Sequence, residues 1–427
     1  MNNLMKHIRF IVSLSFCIIN SLIYAQERRV LTFDKYLDNV KNSNIDYLAE
    51  QYNVDIADAN VKAAKVFPDP ELSVSYANSQ NWDLRMGYGI DAELSYTLEL
   101  GGKRKARIRV AQSEKEMTLA LLEDYFRNLQ AEATIAYMEV IKQNELYKIQ
   151  KESYTQMLEL ARADSLRFQS GIIPETDARQ SKLEAAIMLN EVYSSERDLQ
   201  EALARLLLFQ GDVTTELPDS IVGTLSCLKR EFDLSSLVVT AQNNRADLQA
   251  MLKSKEISQN NLRLAKANRA IDLGISVGGV YSSEVLNEIA PAPAFKGFTT
   301  GISIPLKFSN TNKGELRAAQ LAVVQSEKQY EAIDLQISSE VMQSYNKYVI
   351  SCRKVEQFNT TLLHEAETIL QKKIYSYERG EIGILEVLDA RRTYNDIQIN
   401  FNEILFESTA DLVELERACG IWDIRMD

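Results

Sequence analysis

Residues 98–112 read LELGGKRKARIRVAQ, so two glycines stand beside five basic residues. Glycines next to basic side chains are typical of loops that bind phosphate, because backbone N–H groups and positive charge both attract the anion. The spacing excludes a nucleotide-binding Walker loop. Thr97 stands where its first glycine belongs, and Arg104 stands where Ser or Thr follows the lysine. The basic cluster therefore needs another anion.

No other set of residues predicts a catalytic, cofactor or metal site. Beyond its first 25 residues the chain has one histidine, His364, and three scattered cysteines, Cys227, Cys352 and Cys419. An odd, scattered set of cysteines is no disulfide framework, and no Cys/His cluster offers ligands to a transition metal. The net charge of −12 excludes a general nucleic-acid partner. We predict that the protein is not an enzyme and binds no cofactor.

The N-terminus is typical of a secretory signal peptide, predicted over residues 1–25. Basic residues at 6–9 precede an apolar stretch at 10–23, and Ala25 offers the small residue at the cleavage site. The stretch is shorter than the roughly 18 residues that span a membrane. Lipidation at Cys17 is the alternative, and the bulky residue before it argues against that cleavage.

The rest of the chain contains two copies of one unit. The motif RVAQ at 109–112 recurs as RAAQ at 317–320, which is 208 residues later, and Gly171 recurs as Gly380 at a shift of 209. An ordered series of matches at nearly constant spacing indicates an internal duplication. The predicted repeats cover residues 26–232 and 233–427.

Each repeat has the same predicted order of an amphipathic helix, two strands and a hairpin of long helices. Residues 103–170 and 315–379 contain neither Gly nor Pro, and at 1.5 Å per residue each would form a helix of about 100 Å. Such helices, joined by tight turns, form coiled-coil hairpins. In the first repeat the predicted bounds are about 32–66 for the amphipathic helix, 70–79 and 87–100 for the strands and 103–211 for the helical hairpin, followed by a linker at 212–232. In the second repeat they are about 233–269 for the helix, 270–283 and 296–308 for the strands and 314–420 for the hairpin.

The alternation of the strands predicts one apolar and one polar face. Four strands of about ten residues suit a membrane but cannot close a barrel, and open edges would leave backbone groups unpaired in lipid. Three chains would supply twelve strands, so we predict a trimeric barrel; a soluble sheet packed on helices is the alternative. Expected to face lipid are Tyr76, Tyr88, Tyr96 and Tyr281, and expected to face water are Asp91, Glu93, Glu99 and Asp272.

This duplicated order of elements resembles the TolC family of outer membrane efflux proteins over nearly all of the mature chain. LELGGKRKAR at 98–107 resembles the signature of its heavy-metal, CzcC/CusC-type branch, and GISIPLKFSNTNKGELRAA at 301–319 is similar to the family's second strand-to-helix junction. The resemblance implies a mostly α fold with membrane β-structure. That fold is a trimeric 12-stranded β-barrel, four strands per chain, continued by a long α-helical barrel into the periplasm of a Gram-negative bacterium. It also implies a periplasmic adaptor protein and an inner-membrane pump as partners.

The hairpin turns resemble the family's helical tips, and they read SGIIPETDARQ at 170–180 and YERGEIGILEVLDARR at 377–392. By this resemblance Asp177 and Tyr377 lie where the tip-closing contacts arise. Glu386 and Asp389 lie where acidic residues face the tunnel. Ile382 stands where the family's best-known member has an arginine, which weakens the case for an identical salt-bridge latch.

The tips also carry physical signals of their own. Glu386 and Asp389 are three residues apart on one helix face, and threefold symmetry would turn them into rings that concentrate cations. The alternative is that both are solvated surface charges. The turns are apolar for exposed segments, which predicts contact with the adaptor, or packing within the trimer. The predicted contact residues are Gly171, Ile172, Ile173, Gly380, Ile382 and Gly383, with Ile384 and Leu385 beside them.

The basic cluster lies at the start of the first long helix, where positive charge opposes the helix dipole, so an anion must compensate it. We predict lipid phosphates at the periplasmic face of the membrane, helped by the chain's own carboxylates. The second junction carries basic residues at the same level, which a single nucleotide site would not require. The predicted collar consists of Lys103, Arg104, Lys105, Arg107, Lys307, Lys313 and Arg317.

These features predict a passive outer membrane exit duct of a tripartite efflux system, gated at its periplasmic tip. Heavy-metal cations delivered by an RND-type pump are the expected cargo. A duct for drugs, or for a protein secreted by a type I system, is the alternative within the same fold. A soluble periplasmic coiled-coil scaffold is the alternative outside it.

Overall fold

A computed structural model describes residues 30–79, 85–211, 220–226, 229–306, 312–358 and 360–424. The predicted signal peptide with Cys17, the collar residue Lys307 and part of the predicted linker lie outside these residues. The described elements repeat one order, in which two helices and two strands precede the long helices. In chain order they are β1 (Val30–Leu31), α1 (Phe33–Ser43), α2 (Ile45–Ala64), β2 (Glu71–Asn78), β3 (Tyr88–Leu98), α3 (Lys103–Gln169), α4 (Glu175–Phe209), β4 (Ser220–Ile221), α5 (Leu234–Asn244), α6 (Ala246–Ala267), β5 (Leu273–Ser282), β6 (Phe295–Ser303), α7 (Lys313–Gln357), α8 (Thr360–Glu378) and α9 (Ile384–Cys419).

Each repeat begins with two helices, where the sequence predicted one. Asn44 separates the first pair: its backbone is extended, its side-chain oxygen accepts a hydrogen bond from the Tyr47 N–H (2.9 Å), and its amide donates to the Phe209 carbonyl (2.9 Å). An asparagine that caps the next helix competes with continuation of the previous one. Arg245 separates the second pair, with an extended backbone and its guanidinium on Asp247.

The long helices also differ between the repeats. α3 runs unbroken for 67 residues, in agreement with the sequence pattern. The predicted continuous helix over 315–379 was wrong, because α7 ends at Gln357 and α8 begins at Thr360. Phe358 forms a turn after α7, and phenylalanine has a lower helix propensity than the Lys and Glu residues that precede it.

The four long strands form one antiparallel sheet in the order β2–β3–β5–β6. The register places Tyr76 beside Ile90 and Ile90 beside Tyr281, so the apolar residues of neighbouring strands share a face. The Tyr88 ring lies between those of Tyr76 (6.1 Å) and Tyr281 (5.9 Å) on that face. The predicted alternation is confirmed, although β6 ends at Ser303, before its predicted end at 308.

The chain divides into two compact units, and each draws on both repeats. One contains Met1–Leu48, Phe126–Ala241 and Glu340–Asp427, and the other contains Ala49–Tyr125 and Gln242–Ser339. The first unit holds the hairpin tips, where a hydrophobic core joins α3, α4, α8 and α9. The second unit holds the sheet and the two strand-to-helix junctions. Of the helices in the described ranges, none is both long and apolar enough to cross a membrane.

Candidate functional site

Both hairpin tips turn through the same backbone motif. At the end of α3 the Gly171 N–H donates to the carbonyl three residues before it (2.9 Å), and the next N–H donates to the carbonyl five residues before it (2.9 Å). Gly380 begins the same pair at the end of α8 (2.9 and 3.0 Å). This Schellman motif needs positive φ, and the two glycines have φ of 73° and 74°. Asp177 and Glu386 are each the third residue of the following helix, where the helix dipole favours a carboxylate.

A buried hydrogen bond joins the two tips. Tyr377 of α8 is 3% exposed, and its hydroxyl donates to Oδ1 of the fully buried Asp164 in α3 (3.0 Å). Arg167 lies 3.9 Å from the same oxygen, and its guanidinium is 5.3 Å from the centre of the Tyr377 ring. We call these three residues the tip cluster.

Burial governs the ionisation of the tip cluster. It raises the pKa of Asp164 above its ordinary value, against the opposing effects of the Tyr377 and Ser181 hydroxyls and of Arg167. Burial, and then the Asp164 carboxyl, also raises the pKa of Tyr377. The phenol therefore stays protonated at neutral pH and remains a hydrogen-bond donor.

The partner of Tyr377 is a residue that sequence reasoning missed. Asp177 is half-buried, and its carboxylate accepts a hydrogen bond from the Thr176 hydroxyl (3.3 Å). Asp164 carries a signal that could have identified it, because it continues the three-and-four spacing of the buried Met157 and Ala161. A polar residue at such a seam position is buried by its neighbours and needs a specific partner.

Glu386 and Asp389 are both exposed on one face of α9, in agreement with their spacing. Glu386 forms an ion pair with Lys373 of α8. The three residues line a groove of about 510 Å³ between α8 and α9, together with Glu365. Within the described part of the chain, no group of three or more His, Cys, Asp or Glu could hold a metal ion. The carboxylate rings stay a prediction.

The apolar tip residues fall into two groups. Ile172 and Leu385 are 68% and 62% exposed. Ile384 is buried in the core of the tips, and Ile382 packs against that core, so their apolar character serves the chain's own packing. Ile173 is half-buried. Ile172 and Leu385 are the residues left to contact a partner.

Polar contacts also join α9 to both helices of the first hairpin, and we call this set the hairpin seam. Buried side chains occur in every contact, so none of them is a surface pair screened by water. Because buried polar groups must be matched to partners, these contacts align the two hairpins. The seam consists of Ser153–Asn395 (2.6 Å), Gln156–Arg391 (2.9 Å) and Glu184–Arg392 (2.9 Å).

Much of the positive charge at the first strand-to-helix junction is neutralised by carboxylates of the same chain. Lys103 Nζ lies 2.6 Å from Asp272 Oδ2, and Arg107 donates two hydrogen bonds to Glu99 (2.9 and 3.2 Å). The sequence placed Glu99 and Asp272 on the water-facing side of the strands. Each instead lies just outside its strand and neutralises a collar residue.

The other collar residues are more available to bind an anion from outside the chain. Arg104 donates to the carbonyl of residue 65 (2.8 Å), just beyond α2, which satisfies the end of that helix. Lys105 is exposed, and no ion pair joins it to another described residue. In the second junction Lys313 and Arg317 are exposed, and Lys307 lies outside the described residues.

The glycine at the first junction is required by close packing. Gly101 has φ of 73°, and a Cβ added to it would lie 2.2 Å from the Cβ of Ala270. Any other residue would need both a strained backbone and a displaced neighbour. Gly101 therefore permits a sharp change from strand to helix that any other residue would obstruct.

The sequence matches the outer membrane efflux protein family over residues 36–212 and 237–421. Cobalt-zinc-cadmium resistance protein CzcC of Cupriavidus metallidurans is 23% identical over 399 residues, which cover 91% of this chain and 90% of that protein. The probable outer membrane lipoprotein SilC of Salmonella typhimurium is 22% identical over 401 residues, covering 89% of this chain and 83% of that protein.

Solved structures share the fold. A crystal structure of CusC has a TM-score of 0.75 at 16% identity, and the match covers 91% of this chain and 92% of that one. The outer membrane channel CmeC of Campylobacter jejuni has a TM-score of 0.73 at 16% identity, covering 91% and 85%. At such identities the likeness establishes the fold. Because the family match spans most of both repeats, the chain belongs to the outer membrane efflux protein family.

Proposed function

We propose that the chain is the outer membrane duct of a tripartite efflux system, that it works as a homotrimer, and that it exports heavy-metal cations. As a family member it is an outer membrane channel and not an enzyme, which decides against the soluble scaffold. The observation that carries the proposal is the register that aligns one apolar face across all four strands. β2 and β6 are the edges of the sheet, and three chains joined edge to edge would leave no open edge in lipid.

The hairpin tips would close this duct at its periplasmic end. The hydrogen bond from Tyr377 to Asp164 links hairpins of different repeats, so separating the tips breaks it. Leaving a buried acceptor without its donor costs about 1–3 kcal/mol. We therefore assign the latch to Tyr377 and Asp164, with Asp177 as a nearby negative charge that acts on both.

Divalent metal cations are the cargo that the relatives and the charges favour. CzcC is named for resistance to cobalt, zinc and cadmium. In a trimer Glu386 and Asp389 would form two carboxylate rings, which raise the local concentration of cations without a permanent binding site. The Lys373 ammonium beside Glu386 would weaken one ring, so Asp389 would contribute more to selectivity.

The exposed residues at the hairpin tips and at the strand-to-helix junctions are assigned to two further partners. Ile172 and Leu385 would contact the periplasmic adaptor, which connects the duct to the inner-membrane pump. Lys105, Lys313 and Arg317 would contact lipid phosphates, because the positive charge of Lys103 and Arg107 is already balanced. The part of the collar left for lipid is thus smaller than the sequence alone indicated.

Recordings from the purified protein in planar bilayers test the proposal. We expect a trimer from outer membrane fractions that forms a cation-selective pore, and lower selectivity after replacement of Glu386 and Asp389 by Ala. Glu403→Ala is the matched control, since this residue is exposed on the same helix and farther from the tip. A protein that is soluble as a monomer without detergent would contradict the proposed duct. Unchanged cation selectivity in the Glu386 and Asp389 variant would contradict the proposed carboxylate rings.

A deletion strain tests the cargo. We expect it to become sensitive to divalent metals and to recover when the intact chain is expressed again. Sensitivity to drugs without sensitivity to metals would overturn the metal assignment while leaving the duct in place.

A further inference from the structure

Two adjacent arginines of the hairpin seam have opposite surroundings. Arg391 is 3% exposed, whereas the side chain of Arg392 is 62% exposed. Arg391 contacts α3 through Gln156, and Arg392 contacts α4 through Glu184. The neighbouring positions therefore connect α9 to the two helices of the first hairpin by different chemistry.

Arg391 is a buried cation without a matching anion. Its Nη1 donates to the neutral Gln156 side chain (2.9 Å), and its buried Nε finds no acceptor in the described parts of the chain. Among the described residues no carboxylate lies within ion-pair distance of it. Burial lowers its pKa, yet a guanidinium is not deprotonated in proteins, so the charge remains.

Arg392 has the opposite balance. Its Nε and Nη2 donate three hydrogen bonds to Glu184 (3.2, 3.0 and 2.9 Å), whose side chain is only 8% exposed. Removing Arg392 would leave a buried carboxylate unpaired, whereas removing Arg391 would remove the buried charge itself. Replacing a buried ion by an apolar residue of similar volume is often stabilising, and breaking a buried pair is destabilising.

We propose that Arg391 destabilises the closed hairpin seam and so lowers the free energy needed to separate the tips. When the seam opens, water reaches the guanidinium and supplies the hydrogen bonds that it lacks in the closed seam. The Arg392–Glu184 pair and the Tyr377–Asp164 hydrogen bond act in the other direction, because opening takes these partners apart. The balance between the destabilising Arg391 and these stabilising contacts sets the free energy of opening. The inference rests on the proposed gated duct.

Single-channel recordings in a Tyr377→Phe background test the proposal, since that change raises the open fraction enough to be measured. We expect Arg391→Met to lower the open fraction about tenfold and Arg392→Met to raise it. Arg391→Gln removes the charge while keeping a polar group, and we expect it to act as Arg391→Met does, more weakly. The thermal unfolding midpoint of Arg391→Met should equal or exceed that of its parent.

The outcomes distinguish a failure of the proposed duct from a failure of the role proposed for Arg391. If neither the wild type nor Tyr377→Phe forms a pore, the proposed function fails. If the pore forms but Arg391→Met and Arg391→Gln leave the open fraction unchanged or raise it, this inference fails alone. A lowered unfolding midpoint in both Arg391 variants would also overturn it, because the arginine would then stabilise the seam.

Discussion

The two hairpin tips share a backbone and differ in their chemistry. The shift of 209 residues that relates Gly171 to Gly380 also relates Asp164 to Lys373. Asp164 is fully buried and bonded to the other hairpin, whereas the Lys373 side chain is 40% exposed and pairs with Glu386 next to its own turn. At these equivalent positions, Asp164 contacts the other repeat, whereas Lys373 is paired within its own hairpin.

The same shift explains why the hydrogen bond between the tips occurs once and has no counterpart with donor and acceptor exchanged. Tyr377 corresponds to Phe168, which has no hydroxyl and is 41% exposed. The first repeat therefore supplies the acceptor, Asp164, and the second supplies the donor. Because the bond lies between the hairpins, we infer that opening moves one hairpin against the other and does not require either turn to unfold.

Exchanging the charges of the two tips should have the largest effect. In Asp164→Lys a buried ammonium would face Arg167 without its own counter-ion, and such a change costs about 3–5 kcal/mol. Lys373→Asp is the matched control, and it should cost less than about 1 kcal/mol because the site is exposed. Thermal unfolding of the trimer, followed by circular dichroism, measures both. Similar losses in the two variants would show that the tips do not differ as described.

Removing the hydroxyl of Tyr377 should have the next largest effect. Tyr377→Phe keeps the packing and leaves Asp164 Oδ1 without its donor, at a cost of about 1–3 kcal/mol. The open fraction in planar bilayers should rise by about tenfold or more. Tyr375→Phe is the control, since this ring is exposed. Equal recordings from the two variants would remove Tyr377 from the latch.

The features that the sequence predicted are those set by local spacing. Alternation over two residues identified the strands, and the absence of glycine and proline identified α3 and the hairpins. Breaks that depend on distant partners were missed: the amide of Asn44 reaches the carbonyl of Phe209, which is 165 residues away. The local cap of Asn44 on the Tyr47 N–H favours the break, but asparagine also occurs within helices, so the local sequence alone did not predict it.

The candidate site followed the same rule. Tyr377 could be placed at a tip because its segment resembles the family's helical tips. Its partner could not, because Asp164 is 213 positions away and faces it only after the two hairpins pack. The pairing of Lys103 with Asp272, 169 positions apart, also arises only when two strand-to-helix segments meet.

Protonation of Asp164 should make the first tip sensitive to pH. Its folded pKa is raised above the ordinary 3.8, so its contribution to stability is fully present below that value and is lost as the pH rises through the folded pKa. The loss cannot exceed about 1.4 kcal/mol per pH unit. The groups facing it are Tyr377, Ser181, Arg167 and Asp177. Between about pH 4 and pH 7, the unfolding midpoint should fall more in the wild type than in Asp164→Asn; parallel curves would contradict this assignment.

Replacing the turn glycine that both tips share should have the smallest effect. Gly171 and Gly380 both have positive φ, and no other heavy atom of the described chain lies within 4 Å of an added Cβ, so an alanine meets backbone strain alone. We expect Gly171→Ala and Gly380→Ala to lower the free energy of unfolding by the same amount, about 1 kcal/mol each. Gly314→Ala, in the first turn of α7 and also in open space, should cost nothing because its φ is not positive. A clearly larger loss at one of the two turns would mean that the tips differ in their backbone energetics as well. The contrast between Asp164 and Lys373 would then not suffice to describe how the two tips differ.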